Sequence, residues 1–440
     1  MIDVLKRIHI RNYKSLRDVE VKLAPLSVLF GPNAAGKSNF LDALQLLSRI
    51  AFSRSLKEAF EPPYRGSPLE SFAYGRSGFK ELLDSPSKSF SFEADIEISS
   101  AVTEIVDREV REFRRTSDEK DDGASQTNGA SSYVREQYLR YKVEIEIVPQ
   151  SGLLRVTDES LAALRNDGDL KSSRNPFLEK VKNRIHLRME RQAHPLQFEP
   201  GMDHAILSRP LYAPHYPHLL AARYELASWL FFYFEPRERM RGPNPVKEVR
   251  NIGLMGEELA AFLNTLKMVR PKQFEAIEKA LHQIVPQVTG VKTEVNQFGE
   301  VELKLLENET EMPARLLSEG TLRILGLLAA GSTPQAPGLI GLEEPENGVH
   351  PRRIELIAEY LKTRARSGLS QLIVTTHSPT LLDLIPPESL FVVRRKDSQT
   401  SISPLPEWGP LSRQAVIDEG LQDEGVRRLS ERVVAGELDD

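Results

Sequence analysis

The residues best suited to do chemistry are Gly31-Pro32-Asn33-Ala34-Ala35-Gly36-Lys37-Ser38, which fit the pattern G-x-x-x-x-G-K-[ST]. Glycine at the two outer positions lets backbone N–H groups turn inward around phosphate oxygens. A helix opening near Lys37 would aim its positive end at the same place. Lys37 would add a point charge on the β- and γ-phosphates of a nucleotide, and Ser38 would offer its hydroxyl to Mg²⁺. Asn39, the next residue, is grouped with this phosphate-binding set. The competing reading is a chance match in a glycine turn. The flanking residues argue against it, because the pattern needs a strand before it and a helix after it.

Three later segments add groups of the right type. Residues 338–346 (GLIGLEEPE) are an apolar run that delivers two adjacent carboxylates. Carboxylates at the C-terminal end of a parallel strand stand where ligands of open α/β sheets gather. Glu343 suits the Mg²⁺ shell through water, and Glu344 suits orienting or deprotonating an attacking water. The alternative is an acidic loop after a strand. Residues 371–379 (QLIVTTHSP) form a second apolar run ending at His377, which could hold a γ-phosphate and the attacking water; taken alone, such a histidine is more often structural. Residues 317–323 (LSEGTLR) read as a Ser/Gly turn opening a helix. Ser318 and Gly320 would there offer a hydroxyl and free N–H groups to an anion, or simply cap the helix.

These groups need elements to position them. Residues 4–9 and 26–30 read as strands, and the spacing of Phe40, Leu41, Leu44 and Leu47 predicts a helix from Lys37 to Arg54. Residues 90–98 and 141–148 alternate apolar and polar side chains, as half-buried strands do. Residues 256–285 read as two amphipathic helices meeting near Pro271, and 290–306 as a hairpin turning near Phe298-Gly299. The last third alternates helix at 320–330, strand at 338–342, helix at 351–367 and strand at 371–375, the order expected of a parallel sheet with helices. Residues 116–132 are polar enough to predict a mobile loop.

Composition sets the outer bounds. The chain has 440 residues, 40% of them apolar and 28% charged, which suits a soluble globular protein of about two to four domains or lobes. With 58 basic and 63 acidic residues its net charge is -5, so any nucleic-acid contact would come from local patches. There is no cysteine, which excludes disulfides, thiolate metal sites and cysteine nucleophiles. No apolar run approaches the length of a membrane span. Residues 1–15 contain no apolar core of a secretory signal, so a cytoplasmic location and no membrane partner are expected.

Taken in order, the phosphate loop, LSEGTLR, LIGLEEPENGVHP and TTHSP resemble the motifs of ABC-type ATPase heads. The chain is most similar to the RecF/SMC-like branch, and within it to compact OLD-like predicted ATPases; IHIRNYKSL ahead of the loop fits that branch too. The motif-bearing parts cover residues 1–55 and 310–395. The resemblance implies an α/β fold, a P-loop NTPase head of ABC type with an inserted α+β lobe and no long coiled coil. The head would take residues 1–55 and 310–395 with strands from 90–150. The lobe would span 56–310, and 396–440 would be a tail. The resemblance also makes Ser318 and Gly320 a signature motif that completes the site of an opposite subunit. Glu344 becomes the catalytic carboxylate, His377 the switch histidine, Glu346-Asn347-Gly348 the D-loop region, and Asn12 to Ser15 neighbours of base and ribose. Glu343 departs from the aspartate usual in these heads, and no Q-loop glutamine can be placed.

The implied activity is Mg²⁺-dependent ATP hydrolysis driving an ATP-dependent dimer, or a higher oligomer, as a switch. The resemblance implies a sensor or scaffold in a bacterial, anti-phage defence system, working with a separately encoded effector protein. The alternative is a RecF-like repair clamp that contacts DNA through the basic stretches 171–191 and 237–250, where a solvated face balanced by neighbouring acids is the competing reading. The long interval between Gly31 and Leu317 disfavours a transporter ATPase. Five histidines between 186 and 218 match no ligand spacing. Arg209 and His215 share only their spacing with a ribonuclease motif that Pro210 and Pro214 would break. Too little chain follows the last apolar strand for a Toprim nuclease, and the acidic residues from Asp418 onward read as a solvated helix face.

Overall fold

The structure is a computed structural model and describes residues 3–75, 78–118, 132–190, 194–333, 335–405 and 429. Its strands fall into three sheets. β1 (Leu5–Tyr13) and β2 (Leu16–Lys22) form an antiparallel hairpin, after which β3 (Leu26–Phe30) enters a different sheet. β4 (Lys88–Glu97), β5 (Tyr138–Val148), β6 (Leu153–Ala163), β7 (Leu178–Val181), β8 (Arg184–Leu187) and β9 (Leu196–Phe198) extend the hairpin into an eight-stranded antiparallel sheet, order β2-β1-β4-β5-β6-β7-β8-β9. Strict alternation of buried and half-exposed side chains along β5 is what the sequence pattern demands of such a sheet.

The second sheet carries the candidate site. β10 (Leu230–Phe232), β15 (Leu339–Glu343), β16 (Gln371–Thr376), β3, β17 (Leu390–Lys396) and β18 (Gln399–Pro404) run in that order, all parallel except the β17–β18 hairpin. β3 (LSVLF) and β16 (QLIVTT) are buried along their whole length, as strands covered on both faces must be. Alternation sorts their side chains. Leu29 and Ile373 join the core shared with the helix Lys37–Phe52 and the antiparallel sheet. Val28, Phe30, Leu372 and Val374 join a second core with the helices Leu259–Val269, Pro271–Ile284, Glu319–Ala330 and Ile354–Arg366. A third, small antiparallel sheet of β11 (Asn244–Pro245), β12 (Val288–Val295), β13 (Glu300–Glu307) and β14 (Thr310–Pro313) packs on that second helical layer.

The α/β head and the lack of a long coiled-coil arm match expectation; among the described residues the longest helix is Ser100–Asp118. The middle of the chain is distributed differently from a single lobe over 56–310. β10 returns to the core sheet beside β15, and the helix Pro217–Ala227 packs on the helix Lys37–Phe52. Three residues, Leu230–Phe232, are too few to show a strand period. The expected loop at 116–132 begins as the end of the helix Ser100–Asp118, and residues 119–131 lie outside the described residues. The expected tail opens with β18, an integral edge of the core sheet. Residues 406–428 and 430–440, with their acidic groups, lie outside the described residues. Within the basic stretch, β7 and β8 form a strand hairpin over 178–187.

Candidate functional site

Parallel pairing brings three strand ends to one edge. The register sets Glu343 beside Thr375, Thr375 beside Leu29, and Thr376 beside Phe30. The chain therefore leaves β3 into Gly31, β15 into Glu344 and β16 into His377 on the same side of the sheet.

The loop after β3 is held from behind. Gly31 has φ 151° and Gly36 φ 109°, and Ala34 is left-handed at φ 60°. A Cβ on Gly31 would lie 2.0 Å from the Val393 carbonyl oxygen of β17, and one on Gly36 would lie 2.3 Å from Thr400 Oγ1 of β18. These glycines thus also admit the β17–β18 hairpin. Thr400 donates to the Ala35 carbonyl at 2.7 Å and bonds Ser15 Oγ at 2.7 Å, and Asn39 Nδ2 donates to Ser15 at 2.8 Å. Asn39 and Ser15 therefore brace the loop's rear. Asn12 and Lys14, with φ 55° and 47°, form the turn between β1 and β2.

Lys37 begins the helix Lys37–Phe52, whose first-turn N–H groups have no intrahelical acceptor. Its ammonium donates to the carbonyls of Gly31 at 2.8 Å and Pro32 at 2.9 Å, and lies 3.4 Å from His377 Nδ1. Burial pushes the Lys37 pKa down to about 8, against the pull of Glu344 and Glu343. His377 Nε2 is 3.2 Å from Glu344 Oε1. An ammonium can only donate, so Nδ1 accepts and the ring proton sits on Nε2, facing Glu344. Burial, with Lys37 beside it, holds the imidazole pKa below its ordinary value, which favours the neutral ring. Ser38 Oγ donates to Glu343 Oε1. The adjacent hydroxyl and carboxylate are hard oxygen ligands of the kind Mg²⁺ takes while keeping several waters, so the residues present fit the ion.

Lys37, Ser38, Glu343, Glu344 and His377 are thus brought into one contiguous set. Ser318 and Gly320 have contacts of their own. Ser318 caps the helix Glu319–Ala330 by accepting from the Thr321 N–H, and Gly320 packs so closely on Gly348 that a Cβ would lie 2.5 Å from the Gly348 carbonyl oxygen.

Sequence reasoning missed Arg65 and Asp42. Arg65 Nη2 bridges Glu343 Oε2 at 2.8 Å and Asp42 Oδ1 at 2.7 Å, with its guanidinium 4.8 Å from the Tyr233 ring centroid. Lys14 takes the other Asp42 oxygen at 2.7 Å. Burial works against the Arg65 charge, and Asp42 and Glu343 overcome it, so its pKa rises. No spacing rule points to an arginine in the loop after Pro62-Pro63. Asp42 is buried, yet the stripe Phe40, Leu41, Leu44 and Leu47 puts it on the opposite face of the predicted helix, so no sequence signal marks it.

The basic stretches are partly neutralised within the chain. Lys171 and Arg174 pair with Glu136, Arg174 also with Glu190, and Arg188 with Glu179. Arg237 pairs with Glu319 and Lys247 with Glu258. Lys180, Lys182 and Arg184 remain exposed on the β7–β8 hairpin. Of the five histidines, His218 is fully buried, bonded to Glu190 and the Glu136 N–H, and Arg209 Nε donates to His204. Among the described residues no group of three or more His, Asp or Glu could hold a metal, and no helix is long and apolar enough to cross a membrane.

Fold, motif order and matched segments support an ATPase of ABC/RecF/SMC-like type. Residues 4–148 match a family model described as "AAA ATPase domain". Residues 215–383 match one described as "AAA domain", with a provisional link to the AbiEii toxin of a Type IV TA system. An OLD nuclease of Thermus scotoductus (strain ATCC 700910 / SA-01) is 41% identical over 44 residues, 10% of this chain and 8% of that protein. The DNA replication and repair protein RecF of Trichodesmium erythraeum (strain IMS101) is 38% identical over 55 residues, 12% of this chain and 14% of that one. The chain therefore spans a small fraction of the length of the curated relatives it matches. A solved SMC head, bound in its structure to the C-winged helix domain of ScpA, superposes with a TM-score of 0.50 at 12% identity, covering 91% of this chain and 97% of that chain.

Proposed function

We propose that the chain hydrolyses ATP with Mg²⁺ and uses the cycle as a dimerisation switch. The observation that carries this reading is the two contact sets Ser38–Glu343 and Lys37–His377–Glu344 at three neighbouring strand ends. The loop Gly31–Ser38 binds the phosphates, with Lys37 leaving its carbonyl partners for the β- and γ-oxygens. Mg²⁺, when bound, neutralises charge on the phosphates; Ser38 and Glu343 are the groups that hold it. Glu344 orients and deprotonates water, and neutral His377 donates from Nε2 to fix the geometry of attack. Ser318 and Gly320 complete the site of a second copy, so ATP joins two heads and hydrolysis through Glu344 releases them.

The switch would act as the sensor or scaffold of a defence system with a separately encoded effector. The similarity to an OLD nuclease segment and to the toxin-associated AAA description supports that role. A RecF-like DNA clamp is the second reading, favoured by the RecF segment match and by exposed Lys180, Lys182 and Arg184.

The test is Glu344→Gln expressed in the native host with ATP. Slowed hydrolysis should hold it as a dimer by light scattering, with a stoichiometric second protein found by mass spectrometry. A monomer that binds ATP would sink the dimer switch, and nuclease-sensitive nucleic acid as the sole companion would favour the clamp.

A further inference from the structure

Beyond the two adjacent carboxylates, the turn after β15 carries a third, Glu346, which the family resemblance puts in the D-loop region without giving its carboxylate a role. It is 6% exposed, and burial raises its pKa. Its Oε1 accepts from the hydroxyl of Thr376, the last residue of β16. Thr376 Oγ1 in turn accepts from the Ser378 N–H at 2.9 Å. The residues on both sides of His377 are therefore tied, directly or through one bond, to the Glu346 carboxylate. The opposite end of the same turn is tied to the same strand, because the Glu344 N–H donates to the Thr375 carbonyl at 3.0 Å. Glu344 itself is held at φ 46°, a strained backbone for a residue with a side chain.

Glu346 Oε2 is buried and has no hydrogen-bond partner among the described residues, and Arg323 Nε, from the helix Glu319–Ala330, is likewise without one. An unsatisfied buried oxygen costs stability. A threonine hydroxyl at the end of a strand could be satisfied by a neutral group, so a buried carboxylate is a costly way to hold it. The geometry points to Glu346 as a positioning residue, which fixes His377 through Thr376 and Ser378 so that its ring spans Lys37 and Glu344. Burial lowers the Arg323 pKa against the pull of Glu319, Glu344 and Glu346.

This rests on the ATPase reading above, so the test includes a measurement that does not need turnover. In full-length protein labelled with ¹³C-histidine, the His377 signal is assigned by its loss in His377→Ala. Glu346→Ala and Thr376→Val should each move that signal, while the signal of buried His218 stays in place. Thr376→Ser, which keeps the hydroxyl, should restore it. In steady-state assays Glu346→Ala should lower kcat by about 10- to 100-fold, the scale of a catalytic group displaced by about an ångström, with KM for ATP little changed. The double variant Glu346→Ala/Thr376→Val should be no slower than either single one, because both break one path. An unmoved His377 signal in Glu346→Ala overturns the inference, as does an additive double variant or a loss confined to KM. If both variants shift the His377 signal as expected but the wild type does not hydrolyse ATP, the ATPase reading falls and the positioning contact stands.

Discussion

At the scale of single residues, the site is a set of charges held by burial and by each other. Lys37 is the clearest case. Its pKa is depressed to about 8 because the ammonium is desolvated. The neutral lysine binds phosphate poorly, so ATP affinity should hold below pH 8 and fall as pH rises through that value. Titrating a fluorescent ATP analogue at pH 7 and pH 9 checks this, and Lys37→Arg should flatten the profile because guanidinium stays charged. The stability effect has the opposite sense. Between pH 8 and the unfolded value of 10.5 the folded chain holds fewer protons at this site, so the Lys37 contribution to stability rises with pH. Lys37, Ser38, Glu343, Glu344 and His377 were legible in the sequence because each follows an apolar run, and an apolar run in an α/β chain is a buried parallel strand. Arg65 and Asp42 were not, because they meet through a loop and a helix whose relative placement no local pattern encodes.

At the scale of elements, most strands and helices were legible wherever a period ran long enough. β5 alternates over eleven residues and the helix Pro271–Ile284 shows a 3.6-residue stripe, and both stand where the pattern put them. β10 and the β17–β18 hairpin show where the pattern fails. β10 has three residues, and β18 is polar because it forms the edge of its sheet and needs only one apolar face. The joint between the two larger sheets was equally silent. Gln371, fully buried at the start of β16, accepts from the Leu5 N–H at 2.8 Å and donates to the carbonyls of Leu5 at 3.0 Å and Ala24 at 3.1 Å. One side chain thus closes three backbone groups between β1 and the core sheet. Gln371→Leu should leave them unpaired and lower unfolding free energy by about 2 kcal/mol or more. Urea denaturation measures that loss, and an unchanged midpoint would show that water replaces the glutamine.

At the scale of the whole molecule, charge distribution separates the two biological readings. Six of the eleven described cations of 171–191 and 237–250 are paired with acids, and the exposed Lys180, Lys182 and Arg184 make the β7–β8 hairpin the densest place where a duplex would be felt. If the protein is a clamp, Lys180→Glu/Lys182→Glu/Arg184→Glu should weaken duplex binding. Each lost phosphate contact should lower the slope of log affinity against log salt by roughly 0.9. Filter binding at several salt concentrations reads this. An unchanged slope removes the hairpin from consideration, and ATP turnover measured alongside should not depend on these residues in either case.

The core sheet is assembled from the start, the middle and the end of the chain: β3 lies between β16 and β17, and β10 closes the far edge beside β15. A ribosome emits β3 and the phosphate loop long before it emits either neighbour of β3. Until then an apolar strand buried on both faces in the finished protein has no partner, and most contacts that fix the nucleotide cradle span hundreds of residues. Such non-local closure is slow, and it exposes a sticky strand to other chains. The chain should therefore lean on chaperones while it is being made, and a truncation before β17 should yield a polypeptide that aggregates instead of a smaller head that binds ATP.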